Sequence, residues 1–304
     1  MSHWKIKEPV FKKVLPKGSL YLPRIGRQYF QHILELIKQP QTLQLVYAPY
    51  GGGKTTFAKW VYGLLNPESY DILSIVTISS PKKPGFLLRR VNDFLIGRED
   101  VADDVLQACA KGFAQLKDEN RQLVLLLDGA DILGEHHGVE EVQSLLQVAA
   151  TGGSRLSCLL LAQEEACNSL RQHPYLAKNL SYVCRLPQIT RQEMGLYIEW
   201  YLKLADLNPN PFASDAIDAI YEVSAGIPGS VNALAENCLI NGACQELSFI
   251  PRSLVMEMAG HMGPLPAAKT SSRAKSPGAT PPVRDDRSDI LAEESDKPIS
   301  LFDE

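Results

Sequence analysis

Three consecutive glycines followed by a lysine and a threonine are the residues of this chain best suited to chemistry. Gly51, Gly52 and Gly53 let successive backbone N–H groups converge on an anion, because no Cβ blocks the approach. Lys54 adds a positive charge, and Thr55 adds a hydroxyl that can bind a cation. An apolar strand pattern precedes this run and a helical pattern follows it, so the positive end of a helix points at the same place. The pattern predicts phosphate binding.

The run resembles the P-loop of nucleotide-binding proteins. It reads Leu-Val-Tyr-Ala-Pro-Tyr-Gly-Gly-Gly-Lys-Thr-Thr-Phe over residues 45–57, with Ala48 where the usual first glycine stands. The resemblance implies that Lys54 neutralises the β- and γ-phosphates of ATP and that Thr55 binds Mg²⁺. Nucleotide contacts are therefore expected from Gly51, Gly52, Gly53, Lys54, Thr55 and Thr56.

A second cation-binding group is expected at the end of a buried strand further along the chain. Residues 123–127 form a continuous apolar run that ends in Asp128. This arrangement resembles the Walker B motif, in which the acid lies beside the P-loop and holds a metal-bound water. We therefore predict that Thr55 and Asp128 hold Mg²⁺ together with the nucleotide.

The elements around these motifs predict an α/β fold. Strands are expected at 43–47, 72–78, 123–128 and 157–162, and helices at 55–65, 85–96, 101–116 and 139–150. A strand between the P-loop strand and the Walker B strand is typical of the additional-strand class of P-loop NTPases, which have a parallel five-stranded sheet with flanking helices. The resemblance to that class, and not the spacing, implies the sheet order fifth, first, fourth, third and second.

Four further stretches, in this order, make the chain similar to AAA+ ATPases of the ExeA/GspA kind. They are Leu-Leu-Asp-Gly-Ala-Asp at 126–131, Leu-Leu-Ala-Gln-Glu at 160–164, Leu-Pro-Gln-Ile-Thr-Arg-Gln-Glu-Met-Gly-Leu-Tyr-Ile at 186–198 and Ser-Ala-Gly-Ile-Pro-Gly-Ser-Val-Asn at 224–232. Proteins of this kind serve bacterial secretion, pilus assembly and, in a related group, cell division. The transposition-regulator ATPases share the same general plan.

The resemblance implies a division of the chain and one further site residue. Gln163 corresponds to sensor 1, a polar side chain placed near the γ-phosphate. Residues 1–187 would form an N-terminal segment and the ATPase core, and residues 188–260 a small all-helical lid domain. Within the lid, only the turn Gly226-Ile227-Pro228 is expected to reach the nucleotide. The apolar stripes of the lid helices are interpreted as core packing.

Two departures from the family pattern bear on catalytic turnover. The family carries a general-base Glu directly after the Walker B acid, where this chain has Gly129, and an Arg directly after the Gly-x-Pro turn, where it has Gly229. A general base is typically worth about 10²–10⁴-fold in rate. Asp131 and Glu164 are the candidate substitutes for that base. We therefore expect ATP binding with slow or partner-dependent hydrolysis, and we expect a Gly129→Glu substitution to raise the rate.

The composition changes after the lid. Residues 261–304 are rich in Pro, Ser, Ala and Thr and predict a disordered tail. Ile299, Leu301 and Phe302 at its tip predict a docking peptide for a protein partner. The tip resembles the motif by which bacterial proteins bind the replication sliding clamp, with Pro298 in place of the usual Gln.

The composition of the chain argues against several other classes of function. The chain has 31 Lys and Arg against 35 Asp and Glu, a formal net charge of −4, which argues against holding nucleic acid by bulk charge alone. Its 6 cysteines show no C-x-x-C spacing, which argues against a zinc site or a disulfide framework. No stretch has the length of a transmembrane helix or the features of a signal peptide, so a cytoplasmic protein is expected.

Three functions stay open on the sequence alone. The favoured one is a nucleotide-dependent assembly or regulatory factor, forming a homo-oligomer with nucleotide. The absence of the membrane segment and of the envelope-binding domain that many relatives carry argues against this function. The second is a DNA-associated ATPase of the transposition or repair type, recruited through the tail; the negative charge and the lack of a recognisable DNA-reading module disfavour it. The third is a non-catalytic nucleotide-binding scaffold, which Gly129 and Gly229 suggest.

Overall fold

The computed structural model describes residues 4, 8–11, 15–16, 19–77, 84–96, 104–134 and 137–263. Its strands are β1 (Thr42–Ala48), β2 (Tyr70–Val76), β3 (Gln122–Asp128), β4 (Arg155–Gln163) and β5 (Tyr182–Arg185). Its helices are α1 (Arg27–Ile37), α2 (Lys54–Leu64), α3 (Phe86–Ile96), α4 (Val105–Asp118), α5 (Gly138–Gly152), α6 (Glu164–Gln172), α7 (Pro174–Asn179), α8 (Arg191–Leu204), α9 (Ser214–Ser224), α10 (Pro228–Cys244) and α11 (Arg252–Met262). Short 3₁₀ helices span Arg24–Gly26 and Ala130–Gly134. The predicted tail, with Ile299, Leu301 and Phe302, lies outside the described residues.

The strands form one parallel sheet in the order β2–β3–β4–β1–β5. This is the order that the resemblance to additional-strand P-loop NTPases implied, so that prediction is confirmed. β3 and β4 are inserted between β2 and the P-loop strand β1, which brings the Walker B strand and the following strand close to the P-loop. Sequence analysis assigned no boundaries to the edge strand β5.

Both faces of the sheet are buried along its three central strands, which explains the largely apolar sequences of β1, β3 and β4. Alternate residues of β3 face opposite ways: Leu123, Leu125 and Leu127 pack in one cluster, and Val124 and Leu126 in another. The first cluster is completed by apolar residues of α3, α4 and α5, and the second by those of α1 and α2. The packed sheet therefore supports the loops that follow the carboxyl ends of its strands.

A third apolar cluster is built by α8, α9, α10 and α11. The N-terminal segment contributes Val10 and Phe11 to it, although the sequence grouped that segment with the ATPase core. The Phe11 backbone N–H donates to Oε2 of the buried Glu236 at 2.7 Å. The described residues up to 263 lie in one compact unit, so the predicted boundaries at 187 and 260 stay predictions. None of the helices in the described part of the chain combines the length and the apolarity needed to cross a bilayer.

Candidate functional site

The predicted phosphate-binding residues lie at the carboxyl edge of the sheet, where β1, β3 and β4 end side by side. Ala48, the last residue of β1, pairs with Gln163 of β4, and Asp128 of β3 pairs with Leu161. Loops that follow parallel strands meet at this edge. The parallel register therefore brings the P-loop, Asp128 and Gln163 into one site.

The P-loop ends at the start of α2, where backbone N–H groups are available to a ligand. Gly53 has a φ of +90°, a left-handed conformation that favours glycine, and it is the N-cap residue of α2. The first N–H groups of a helix have no intrahelical acceptor, and no described side chain caps this helix end. A Cβ at Gly53 would meet no described atom within 4 Å. A phosphate fits this open position in front of the helix N-terminus.

Lys54, the first residue of α2, points its ammonium group into the loop. The side chain is buried, and Nζ donates to the carbonyl oxygens of Ala48 at 2.9 Å and Pro49 at 3.0 Å and to Oε1 of Gln163 at 3.0 Å. Burial lowers the pKa of Lys54, and nearby carboxylates, Asp131 first, oppose this shift. Because all three acceptors are neutral, no described residue forms a direct ion pair with the ammonium group. The charge can therefore be offered to an anion.

Thr55 and Asp128 supply the oxygen ligands that a magnesium ion needs. Thr55 Oγ1 donates to Asp128 Oδ2 at 2.5 Å, which joins the start of α2 to the end of β3. Mg²⁺ is usually held by one or two protein oxygens together with phosphate oxygens and water. Backbone N–H groups and an ammonium for phosphate, with a hydroxyl and a carboxylate for the cation, make a donor set that fits Mg²⁺·ATP.

Gln163 and Asp131 are fixed against each other beside Lys54. The Gln163 backbone N–H donates to Asp131 Oδ1 at 2.7 Å, while the Gln163 side chain accepts from Lys54. Asp131 lies on the 3₁₀ helix Ala130–Gly134, directly after the Walker B strand. Both side chains line the same cavity as the P-loop. The predicted sensor residue therefore lies next to the predicted phosphate-binding lysine.

Glu164, the other candidate for the missing base, is engaged elsewhere. Arg185 of β5 donates to both of its carboxylate oxygens, from Nε to Oε1 at 2.9 Å and from Nη2 to Oε2 at 3.0 Å. Glu164 does not line the cavity, and Asp128 and Asp131 are the carboxylates among the described residues that do. The ion pair of Glu164 ties α6 to β5. Asp131 is the better placed of the two candidates for the base, and the role of each stays a prediction.

Gly129 stands where the family has its catalytic Glu, and its surroundings require glycine. Its φ is +92°, and a Cβ there would lie 2.2 Å from Thr77 Oγ1 and 2.7 Å from the Thr77 carbonyl oxygen. Thr77 also donates from its backbone N–H to the Asp128 carbonyl at 2.8 Å and from Oγ1 to the Gly129 carbonyl at 2.7 Å. Thr77, which the sequence analysis did not single out, thereby fills the space that a side chain at 129 would need.

Gly229 stands where the family has its lid arginine, and it forms a backbone contact instead. Its N–H donates to the Gly51 carbonyl oxygen at 2.8 Å. A Cβ at Gly229 would lie 2.9 Å from the Gly51 Cα. The start of the lid helix α10 is therefore held directly against the P-loop, without a charged side chain between them.

The site residues surround one cavity of about 630 Å³. The P-loop, Asp128, Asp131 and Gln163 form its polar part. The remainder, which we call the apolar part, is lined from the N-terminal segment, the β5–α8 connection and the lid by residues that include Leu20, Tyr21, Pro187, Ile189, Tyr197 and Tyr201. This volume lies within the range of small-molecule and cofactor sites. A phosphate site beside an apolar pocket suits a nucleotide, whose charged and aromatic parts are separate.

Sequence analysis missed most of the apolar part of the cavity. Tyr197 and Tyr201 belong to a lid stripe interpreted as core packing; they are buried in the helical cluster and also line the cavity. Tyr21 lines it from the N-terminal segment, and burial, with the nearby Glu193 carboxylate, raises the pKa of Tyr21 to about 12. Helical spacing identifies buried positions but cannot separate a core residue from one at a cavity wall, so the sequence held no signal for these residues.

Comparisons with known proteins found similarity in fold. No protein-family model and no curated protein matches the chain. Among solved structures, Aeropyrum pernix ORC2, in ADPNP–ADP complexes, aligns with a TM-score of 0.62 and 16% identity over 83% of this chain and 71% of that one. Drosophila ORC bound to DNA aligns with a TM-score of 0.60 and 17% identity over 86% and 66%. The Thermotoga maritima RuvB Holliday junction branch migration motor aligns with a TM-score of 0.50 and 16% identity over 78% and 69%.

These similarities bear on the fold alone, because all three identities are low. The chain shares the fold of these structures: a parallel five-stranded sheet with flanking helices, followed by a helical region. The predicted fold class is therefore confirmed in its α/β and helical parts. The closer resemblance to the ExeA/GspA kind stays a prediction.

Proposed function

We propose that the protein binds Mg²⁺·ATP in this cavity and acts as a nucleotide-dependent assembly or regulatory factor of the AAA+ type. The observation that carries the proposal is the convergence on one cavity of Lys54, the uncapped start of α2 and the Thr55–Asp128 pair. A general role as a P-loop ATPase is also supported by the fold. The relation to secretion and pilus ATPases rests on the late sequence motifs.

Each residue of the polar part has a role that its geometry supports. Lys54 and the N–H groups at the start of α2 would bind the phosphates. Thr55 and Asp128 would hold Mg²⁺, which supplies positive charge against the phosphate oxygens when bound. Gln163 would lie near the terminal phosphate because it is bonded to Lys54. Since Gly229 is bonded to the P-loop, nucleotide binding at the loop would also act on the position of the lid.

We propose that hydrolysis is slow or depends on a partner. Gly129 cannot supply a base, and Asp131 is the remaining carboxylate of the lining besides Asp128. Asp131 already uses one oxygen to accept the Gln163 N–H. Among the described residues, Lys54 is the only Lys or Arg that lines the cavity, and we propose that another molecule supplies a second cation. This supports a homo-oligomer that completes its site between subunits when nucleotide is bound.

Titration calorimetry with Mg²⁺·ATP tests the binding proposal. Hydrogen bonds to a charged group are worth about 1.5–3 kcal/mol, so Lys54→Ala should weaken ATP binding by roughly 10- to 150-fold. Lys59→Ala is the matched control, because Lys59 is an exposed lysine of the same helix outside the cavity. Equal ATP affinity in Lys54→Ala and Lys59→Ala would contradict the assignment of the site.

Steady-state phosphate release and light scattering with and without ATP test turnover and assembly. We expect slow release that falls further in Asp131→Asn, and a larger mass in the presence of Mg²⁺·ATP. Fast hydrolysis unaffected by Asp131→Asn would refute the account of the missing base. Binding of ATP with no release at all would favour the non-catalytic scaffold.

A DNA-associated ATPase is the second candidate function. The observation that favours it is the similarity in fold to Drosophila ORC, whose structure is bound to DNA, and to RuvB, a Holliday junction branch migration motor. If this function holds, duplex DNA should bind more tightly with ATP than without it, and binding should weaken steeply with salt. Lys54→Ala should remove the ATP dependence. Absence of DNA binding in low salt with ATP would exclude this candidate.

The tail tip is proposed as a docking peptide for a protein partner. Ile299, Leu301 and Phe302 are bulky apolar residues at the end of a polar segment. Truncation after Pro298 should leave ATP affinity unchanged and remove a partner from a pull-down, and the bacterial sliding clamp is the first partner to test. An unchanged set of partners after truncation would contradict the docking role.

A further inference from the structure

The N-terminal segment is anchored in the lid near its start. We call its described residues between 4 and 24 the strap. Val10 and Phe11 are 1% and 3% exposed and belong to the apolar cluster of the lid helices. The centroid of the Phe11 ring lies 6.3 Å from that of Phe212, and the Phe11 backbone N–H donates to the buried Glu236 of α10 at 2.7 Å. Hydrogen bonds to a carboxylate are among the strongest in proteins, so this contact fixes the strap to the lid.

A second anchor on the lid lies at the other end of the strap. The Arg24 backbone N–H donates at 2.7 Å to Oε1 of Glu193, which is buried in the first turn of α8. The other oxygen of Glu193, Oε2, accepts from Thr190 Oγ1 at 2.8 Å, which holds the carboxylate in place. The Tyr21 ring packs edge to face on that of Tyr197, with 5.2 Å between the centroids. The strap is therefore attached to the lid at both ends.

Between these anchors the strap contacts the ATPase core as well as the lid. Leu20 and Leu22 pack against the apolar cluster that α1 and α2 form with the sheet, whereas Tyr21 packs against the cluster of the lid. Such alternation is that of an extended backbone, whose successive side chains point to opposite sides. Leu20 and Tyr21 also line the cavity. The strap is therefore a second link between lid and core, in addition to the β5–α8 connection at residues 186–190.

These contacts oppose the separation of lid and P-loop. The two meet where the Gly229 N–H donates to the Gly51 carbonyl oxygen at 2.8 Å. If the lid moves away from the P-loop, the strap has to give up its contacts on one side. Either Leu20 and Leu22 leave the core cluster, or Tyr21 leaves the lid cluster. Both movements expose apolar surface to water, which is unfavourable in proportion to the area exposed.

We propose that the strap is a latch, which holds the lid against the P-loop and thereby slows the release of nucleotide from the cavity. The effect on release rests on the proposed binding of ATP. Residues of the lid helices α8 and α10 line the cavity, so lifting the lid removes part of the cavity wall. Phe11 and Leu22, both among the described residues, lie outside that lining, so each can be changed without removing a ligand contact.

Amide hydrogen exchange without nucleotide tests the latch on its own, because exchange of the Gly229 N–H requires the lid contact to open. Exchange should accelerate roughly 10- to 150-fold in Phe11→Ala, which removes a buried ring, and about 3- to 10-fold in Leu22→Ala, where the side chain is partly buried. Amides of β3 should be unaffected. Glu8→Ala is the matched control, since Glu8 is an exposed residue of the strap.

Two results of the exchange experiment would overturn the inference. One is exchange of the Gly229 N–H in Phe11→Ala and Leu22→Ala at the rate found in Glu8→Ala. The other is an equal acceleration at Gly229 and in β3, because the strap would then stabilise the whole fold and not the contact between lid and P-loop.

Release of a fluorescent ADP, displaced by excess unlabelled ADP in a stopped-flow experiment with Mg²⁺, tests the effect on the ligand. The release rate should rise by the same factors in Phe11→Ala and Leu22→Ala and stay at the wild-type value in Glu8→Ala. Unchanged release together with faster exchange at Gly229 would refute the proposed effect on nucleotide. A wild-type protein that binds neither ADP nor ATP would instead refute the proposed function, and the exchange experiment would still decide whether the strap is a latch.

Discussion

Replacing Gly129 by the glutamate of the family pattern should damage the site and not restore a catalytic base. Two costs follow from the geometry. A residue with a Cβ at a φ of +92° is strained by roughly 1–2 kcal/mol. Its Cβ would also lie 2.7 Å from the Thr77 carbonyl oxygen, a backbone atom, so the end of β2 would have to move away from β3.

The size of the second cost comes from the hydrogen bonds that this movement breaks. The Thr77 N–H to Asp128 bond of 2.8 Å and the Thr77 Oγ1 to Gly129 bond of 2.7 Å would both be lost. At about 0.5–1.5 kcal/mol each, they bring the total to about 2–5 kcal/mol, against a typical stability of about 5–15 kcal/mol. Asp128 would be displaced from Thr55 at the same time, so we expect weaker ATP binding. The sequence-based expectation of faster hydrolysis is reversed.

Urea unfolding followed by circular dichroism measures this cost, and calorimetry measures ATP affinity. Gly129→Ala should be destabilised nearly as much as Gly129→Glu, because the Cβ causes the clash. Gly134→Glu is the matched control, since a Cβ at Gly134 meets no described atom within 4 Å. Thr77→Gly should restore part of the stability of Gly129→Ala. A Gly129→Glu protein within about 1 kcal/mol of wild type, with faster hydrolysis, would refute this reasoning.

Three further predictions concern the lid and the N-terminal segment. Gly229→Ala should weaken ATP binding and lower the unfolding free energy by about 1–3 kcal/mol, because its Cβ would press on Gly51 and strain their hydrogen bond. Glu236→Ala should lower the unfolding free energy by about 1–3 kcal/mol in urea, because the buried Phe11 N–H loses its acceptor. Tyr21 keeps its proton to about pH 12 in the folded state but loses it near pH 10.0 when unfolded, so unfolding free energy should fall as pH rises through that window, and less steeply in Tyr21→Phe.

Each of these predictions has a comparison that can contradict it. Gly195→Ala, in the middle of α8 with no described atom within 4 Å of the new Cβ, should stabilise slightly and leave ATP binding unchanged. Glu257→Ala, at an exposed position of α11, should change the unfolding free energy by less than about 0.5 kcal/mol. A Gly229→Ala protein that behaves like Gly195→Ala would contradict the contact between Gly229 and Gly51. A Glu236→Ala protein that behaves like Glu257→Ala would contradict the hydrogen bond between Phe11 and Glu236. Equal pH dependence of Tyr21→Phe and wild type would contradict the raised pKa.

The sequence by itself determined the local elements and the polar part of the cavity. β1, β3 and β4 are largely apolar because both faces of the central strands of a parallel sheet are buried, and this pattern needs no tertiary information. The residues of the P-loop are contiguous, so their order alone predicts an N–H cradle followed by Lys54 and Thr55. Asp128 could be added because an acid that ends a buried strand is a recognisable local pattern.

Only the tertiary structure decided what each isolated side chain near the site does. Asp131 and Glu164 are both acids close to strand ends in the sequence, but the packing of β5 places Arg185 on Glu164 and leaves Asp131 in the cavity. In the sequence, Gly129 and Gly229 indicate only that the family's Glu and Arg are missing. The structure shows that Thr77 and Gly51 occupy the space that a side chain at these two positions would need. The apolar part of the cavity joins segments far apart in the chain, and such contacts depend on long-range packing that no local pattern records.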